Sequence, residues 1–279
     1  VTTEPASQTP HTPSSLILTF FGAYGRAELD GRVAVAELIR LMGAAGVDAQ
    51  SVRSAVSRLK RRGLLVAEAV GGAAGYALSG EARELLADGD RRIYDVPGGP
   101  SGDWVLAVFS VPESERAKRH LLRSRLARLG FGAAAPGVWI APGHLEDEAR
   151  HTLTRLGLDS YAELFRGAHV GFEPTADAVR RWWDLDAIAE LYAAFLDAHG
   201  PVLDAWAAAG RSSGAVPADE AFRDYVRALD AWRRLPYADP GLPAALLPDG
   251  WPGGRAAEVF GELHRRLRDA GAAFVRMDG

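Results

Sequence analysis

Cysteine is absent from the chain. A disulfide framework, a zinc ribbon, an iron–sulfur cluster and a thiol nucleophile are therefore excluded. No apolar run approaches the ~18 residues of a membrane-spanning helix, so no membrane partner is expected. The opening residues, Val1 to Pro13, lack the basic and apolar runs of a signal peptide, and the expected location is cytoplasmic. A basic excess is also missing: 32 Lys+Arg face 36 Asp+Glu, a net charge of −4. That balance argues against a generic polyanion binder. HExxH, GxSxG and P-loop motifs do not occur, and the histidines are scattered. The residues call for no cofactor, no metal and no enzyme.

What is present is a local charge imbalance. Asp48 to Arg62 holds five basic residues and one acid. One basic element on a mildly acidic protein fits modular nucleic-acid contact better than a basic coat does.

Residues 1–13 have no hydrophobic periodicity and read as a disordered leader. An apolar run from Leu16 to Tyr24 follows, with a serine cap. Val35, Leu38, Ile39 and Met42 then recur at helical spacing. Asp48 is the N-cap candidate of a further helix that Gly63 ends. Leu64–Val70 and Tyr76–Leu78 flank the glycine-rich turn 71–75, which predicts a hairpin. A short helix from Gly80 to Ala87 closes the segment. Helix, helix, helix, hairpin, helix is the order of a winged helix-turn-helix, expected over residues 14–90.

On a helical wheel, Val52, Ala55, Val56 and Leu59 of the basic helix face inward. Gln50, Ser54, Ser57 and Arg61 then point out, with Ser51, Arg53, Arg58 and Lys60 on the flanks. Glutamine can bond adenine and arginine can bond guanine, while serines allow close approach to base edges. A merely solvated face would more often alternate Glu and Lys; here no acid follows Asp48.

The middle segment, 91–175, reads as strand, helix, two short strands around Pro136-Gly137, helix and strand. This βαββαβ order predicts a ferredoxin-like domain. Residues 176–279 show only helical patterns and are expected to form an all-helical domain. The fold class is thus α+β, multidomain. In the last segment Leu185, Ile188, Leu191, Tyr192 and Phe195 form an apolar stripe that serves either as a dimer contact or as internal core. Asp184 and Asp186 fit an acid-rich helix start better than a metal pair.

SSLILTFFGAYG, VRSAVSRLKRRGLL, RRIYD at 91–95, RLGFGAAAPGVWIAP, WWDL, YAAFL and WRRLPYADPGLPAALLPDGWPG occur in that order. With these pieces the chain resembles the PaaX family, bacterial repressors of phenylacetic acid degradation operons, over about residues 14–275. The resemblance implies a winged-helix DNA-binding domain and a middle domain with the fold of small CRISPR-associated nucleases. It also implies a homodimer on double-stranded operator DNA, released by an acyl-CoA such as phenylacetyl-CoA. Two departures stand out. The hairpin GGAAGYALS has no basic residue, and Ser110 stands where the nuclease relatives carry an aspartate.

An acyl-CoA needs arginines for its phosphates and an apolar slot for its acyl group. Arg119, Arg123 and Arg125 with Phe131 and Trp139 offer one such pairing; Arg180, Arg181, Trp182 and Trp183 offer another. The plainer alternative makes these tryptophans core and these arginines solvated. Two rivals to the regulator are a nucleic-acid-processing enzyme built on the middle domain, which Ser110 argues against, and a protein-interaction adaptor.

Overall fold

In the computed structural model, which describes residues 11–94, 102–209 and 217–277, the first helix opens directly after Thr12. Its hydroxyl accepts from Ser15 N, and Pro13 takes the first turn, where no N–H is needed. Thr12, not a serine, is therefore the cap. Of the expected leader, residues 1–10 lie outside the described residues. Helix α1 (Pro13–Phe20) passes through a π-helical turn, Phe21–Gly25, into the short α2 (Arg26–Glu28). A three-residue strand, β1 (Arg32–Ala34), precedes α3 (Val35–Ala44) and α4 (Ala49–Arg61). Strands β2 (Leu65–Val70) and β3 (Ala73–Leu78) form the hairpin. The turn is tighter than expected: Gly71 and Gly72 alone make it, at φ +57° and +81°. The antiparallel sheet has the order β1-β3-β2.

Helix α5 (Gly80–Tyr94) runs seven residues past the expected stop at Ala87. Tertiary contacts hold the extension. Arg26 forks onto Asp90, and the Ile93 carbonyl accepts from Trp232 Nε1.

The middle segment contains β4 (Trp104–Phe109), α6 (Arg116–Arg128), β5 (Gly132–Ala135), β6 (Val138–Pro142), α7 (Glu146–Arg155) and β7 (Ala162–Gly167). The sheet is wholly antiparallel in the order β5-β6-β4-β7. The C-terminal segment contributes α8 (Thr175–Trp182), α9 (Leu185–Ala209), α10 (Ala218–Trp232), α11 (Leu235–Ala238) and α12 (Gly253–Arg276). The chain is thus α+β, with antiparallel sheets and a helical C-terminus. Helix α9 runs unbroken through Pro201.

Contacts divide the chain into two compact units, and the C-terminal helices are shared between them. One unit comprises residues 1–94, 194–233 and 254–279. Its core joins Phe20, Phe21 and Tyr24 to Phe222 and Tyr225 of α10 and Phe274 of α12. Gly271 of α12 lets this happen: a Cβ there would stand 2.2 Å from the Tyr24 hydroxyl. At the same core lies Asp230, fully buried, which accepts from Ser15 Oγ, Thr19 Oγ1, the His11 backbone and Arg233 Nε.

The other unit comprises residues 95–193 and 234–253. One sheet face, with Val105, Ala107 and Trp139, packs on Leu122 and Leu126 of α6 and Leu153 of α7. On the opposite face Trp104 meets Trp182 and Trp183. Trp183 Nε1 donates to the Gly130 carbonyl at 2.9 Å.

The apolar stripe of α9 is internal core. Leu185, Ile188, Tyr192 and Phe195 are buried within the chain, and only Leu191 is exposed. A dimer contact on that stripe is therefore withdrawn: its side chains already have partners, such as Asp239 for the Tyr192 hydroxyl and Trp232 for the Phe195 ring.

Candidate nucleic-acid interface

Helix α4 is set on the core by Val52, Ala55, Val56 and Leu59, all buried. Its start is fixed by Asp48, whose carboxylate accepts from Gln50 N and Ser51 N. Those hydrogen bonds, with that of the Ser51 hydroxyl first, hold the Asp48 carboxyl below the usual range. The preceding turn is held from α10, where Arg227 donates from Nε and Nη2 to the Ala45 carbonyl at 3.1 and 3.0 Å. Gly46, at φ +86°, leaves room for that guanidinium; a Cβ would lie 2.6 Å from it. Nothing local in the sequence connects Arg227 with this turn, 182 residues away.

The opposite face of α4 is open. Gln50, Arg53, Ser54, Ser57, Arg58 and Arg61 are exposed, and Ser51 is half-buried. Arg53, Arg58, Arg61 and Arg62 have no acidic partner among the described residues. In the same unit Arg26 is paired with Asp90, Arg32 with Asp30 and Glu68, and Arg40 with Glu37. Lys60 lies over the Tyr76 ring of β3 at 5.7 Å, so the end of α4 is tied to the hairpin. This contact escaped the sequence reading because cross-element ring stacking has no local signal. The hairpin tip, Gly71 to Ala74, is exposed and uncharged.

The two arginine–tryptophan groupings differ. In the first, Arg119 donates to the Val111 carbonyl and pairs with Glu113. Arg123 is exposed, Arg125 is half-buried, and Phe131 and Trp139 are buried in the core. In the second, Arg180, Arg181, Trp182 and Trp183 line a shallow concavity of about 380 Å³ together with Asp184 and Pro248. Arg180 pairs with Asp177 and Arg181 with Glu173. Trp182 is half-buried and Trp183 buried. Asp184 caps α9 by accepting from Ala187 N. Among the described residues no group of three His, Asp or Glu side chains could hold a metal ion, and no helix is long and apolar enough to cross a membrane.

Three family models match the chain in succession. "PaaX-like protein" covers residues 12–82, "PaaX protein central Cas2-like domain" 98–179, and "PaaX-like protein C-terminal domain" 183–277. This chain belongs to the PaaX family. A curated relative, the Transcriptional repressor PaaX of Escherichia coli, is 25% identical over 97% of this chain and 85% of the relative. Among solved structures, the uncharacterized protein Rv0674 of Mycobacterium tuberculosis has the same fold at a TM-score of 0.57. It is 21% identical, with 93% of this chain and 95% of that chain covered. The matched segments of this PaaX-family chain include α4, α6 and the first arginine–tryptophan grouping, whereas Arg180, Arg181 and Trp182 lie between two of them.

Proposed function

We propose that this PaaX-family chain is a DNA-binding transcriptional repressor and not an enzyme. The observation that carries the reading is the outward face of α4: three arginines without acids, joined by Arg62 at the C-cap, with small serines and Gln50 on a helix clamped at both ends. On this reading the N-terminal helices and the hairpin are a winged helix-turn-helix, and α4 enters the major groove. The uncharged hairpin tip leaves specificity to α4. The antiparallel βαββαβ unit is ferredoxin-like and acts as a scaffold, with Ser110 following β4 where a nuclease would need a carboxylate.

The protein works as a homodimer on a two-fold site and leaves DNA when an acyl-CoA, of the phenylacetyl type, binds. Of the two groupings, Arg180, Arg181 and Trp182 suit that ligand better. They border an open concavity whose aromatic wall carries two arginines beside Asp184 and Asp186, whereas Trp139 is enclosed. A ligand there acts only by binding one conformation better than the other.

Selection of bound sites from random DNA, repeated with a panel of acyl-CoAs, tests the reading. A palindromic consensus and release by an aryl-CoA are the expected results. Arg53→Ala should weaken the selected site by roughly 1–3 kcal/mol and relax preference at one position. Arg61→Ala should weaken all sequences alike and lower the salt slope by about one unit. Unchanged affinity in both variants would remove α4 from the interface.

A further inference from the structure

Helix α6 carries six basic residues and His120 in 13 positions, with no acid. Two of the six are engaged. Lys118 bonds Glu115 and the Tyr161 hydroxyl, and Arg119 is held by Val111 and Glu113. Arg116, Arg123, Arg125 and Arg128 have no acidic partner among the described residues, and neither does Arg155, the last residue of α7. Arg116, Arg123 and Arg128 are exposed. Arg125 is half-buried, and its Nε is fully buried without any hydrogen-bond partner. Burial first, then the positive charges of Arg128 and Arg155, push the Arg125 pKa down. Four unpaired guanidiniums on one helix repel one another, and a buried unsatisfied N–H adds to the cost. A polyanion bound on the exposed side would relieve the repulsion.

The shape of the site indicates which anion. Arg116, Arg119, His120 and Arg123 border an open concavity of about 510 Å³, and the nearby aromatics Phe131 and Trp139 are sealed in the core. No apolar slot adjoins the charges, so the acyl half of an acyl-CoA has no place here. At ~1.5 Å per residue, Arg116 and Arg123 lie about 10 Å apart on one face of the helix, and Arg128 sits beyond them, about 120° round the axis. Successive phosphates of a DNA strand advance ~3.4 Å along the helix axis, so Arg116 and Arg123 can meet different phosphates of one strand, with Arg128 reaching in from the flank.

We propose that α6 is a second, sequence-independent DNA contact that binds backbone phosphates through Arg116, Arg123 and Arg128. This inference rests on the DNA-binding reading above. It adds an electrostatic contact on a different compact unit from the one that holds α4.

The test uses the full chain and mixed-sequence duplex DNA, with affinity measured as a function of salt concentration. Removing the three charges in Arg116→Gln/Arg123→Gln/Arg128→Gln should lower the salt slope by about two to three units, at ~0.9 per phosphate. The base preference found by site selection should stay unchanged. The triple Lys variant, which keeps the charges, should restore most of the slope; thermal melts of both variants check folding. Wild-type binding with an unchanged slope in the Gln variant would overturn the contact and leave the α4 reading standing. The same follows if the Gln variant keeps its slope but loses affinity for tripolyphosphate, which makes the cluster a small-anion site. Absence of any DNA binding by the wild type would overturn both.

Discussion

Asp230 shows how one buried charge organises the unit that carries α4. Burial alone would raise its pKa. The hydrogen bonds from His11 and Ser15 and the charge of Arg233 outweigh that and hold the carboxyl far below the usual range. Asp230→Ala removes the shared acceptor and leaves Ser15, Thr19, the His11 N–H and Arg233 to find others. The expected cost is roughly 3–5 kcal/mol, read as a lowered denaturant midpoint. His199 behaves in the opposite chemical sense. Burial, then the neighbouring His11, pushes its pKa down to about 4, and Nε2 is buried without a partner. The unfolded chain takes that proton near pH 6.5, whereas the folded chain resists it until about pH 4. Stability is therefore full above the unfolded value and falls as the pH drops through this window. His199→Phe should flatten that fall, which is on the order of 3 kcal/mol. An equal pH dependence in both proteins, from urea titrations between these pH values, would contradict the assignment.

At the scale of elements, the three-stranded sheet depends on Gly75. A Cβ at this position of β3 would lie 2.7 Å from the Val33 carbonyl of β1 and 3.0 Å from that of Glu68 in β2. Both contacts are with backbone, so the neighbours cannot rotate away. Gly75→Val should destabilise the sheet by roughly 1–3 kcal/mol through overpacking. Hydrogen exchange should report it first at β1, whose pairing with β3 spans three residues. The same elements show how far local patterning reaches. The faces of α4 follow from a 3.6-residue period, and Val52, Ala55, Val56 and Leu59 are buried as that period predicts. Strand β1 was not legible, because three residues carry no period. The last turns of α5 were not legible either: Asp88-Gly89-Asp90 has the composition of a stop, and tertiary contacts, among them those of Arg26, Trp232 and Tyr225, keep the helix going.

For the whole molecule, the helices of α10 and α12 complete the core beneath α1, so the N-terminal segment is not self-sufficient. Phe20 and Tyr24 lean on Phe222, Arg40 on Phe274, and Arg227 holds the turn before α4. A fragment ending at Tyr94 exposes these aromatics and loses both the Asp230 acceptor and the Arg227 clamp. It should show weakened tertiary structure by near-ultraviolet circular dichroism and weaker DNA binding than the full chain. Full affinity and a native-like melt in the fragment would refute this dependence.

The basic, acid-free face of α4, its Asp48 cap, the glycine hairpin and the βαββαβ order were set by the sequence itself, because each rests on periods and caps a few residues long. The role of the α9 stripe was open in the sequence, since an apolar stripe has the same pattern whether it meets its own chain or a second copy. Only the fold decided that it is core. The fold alone also decided which arginines are free. Composition counts charges, but pairing depends on contacts such as Arg26 with Asp90 or Arg276 with Glu28, 64 and 248 residues apart. The unpaired arginines of α4 and α6 stand out as candidate sites once those long-range partners have claimed the others.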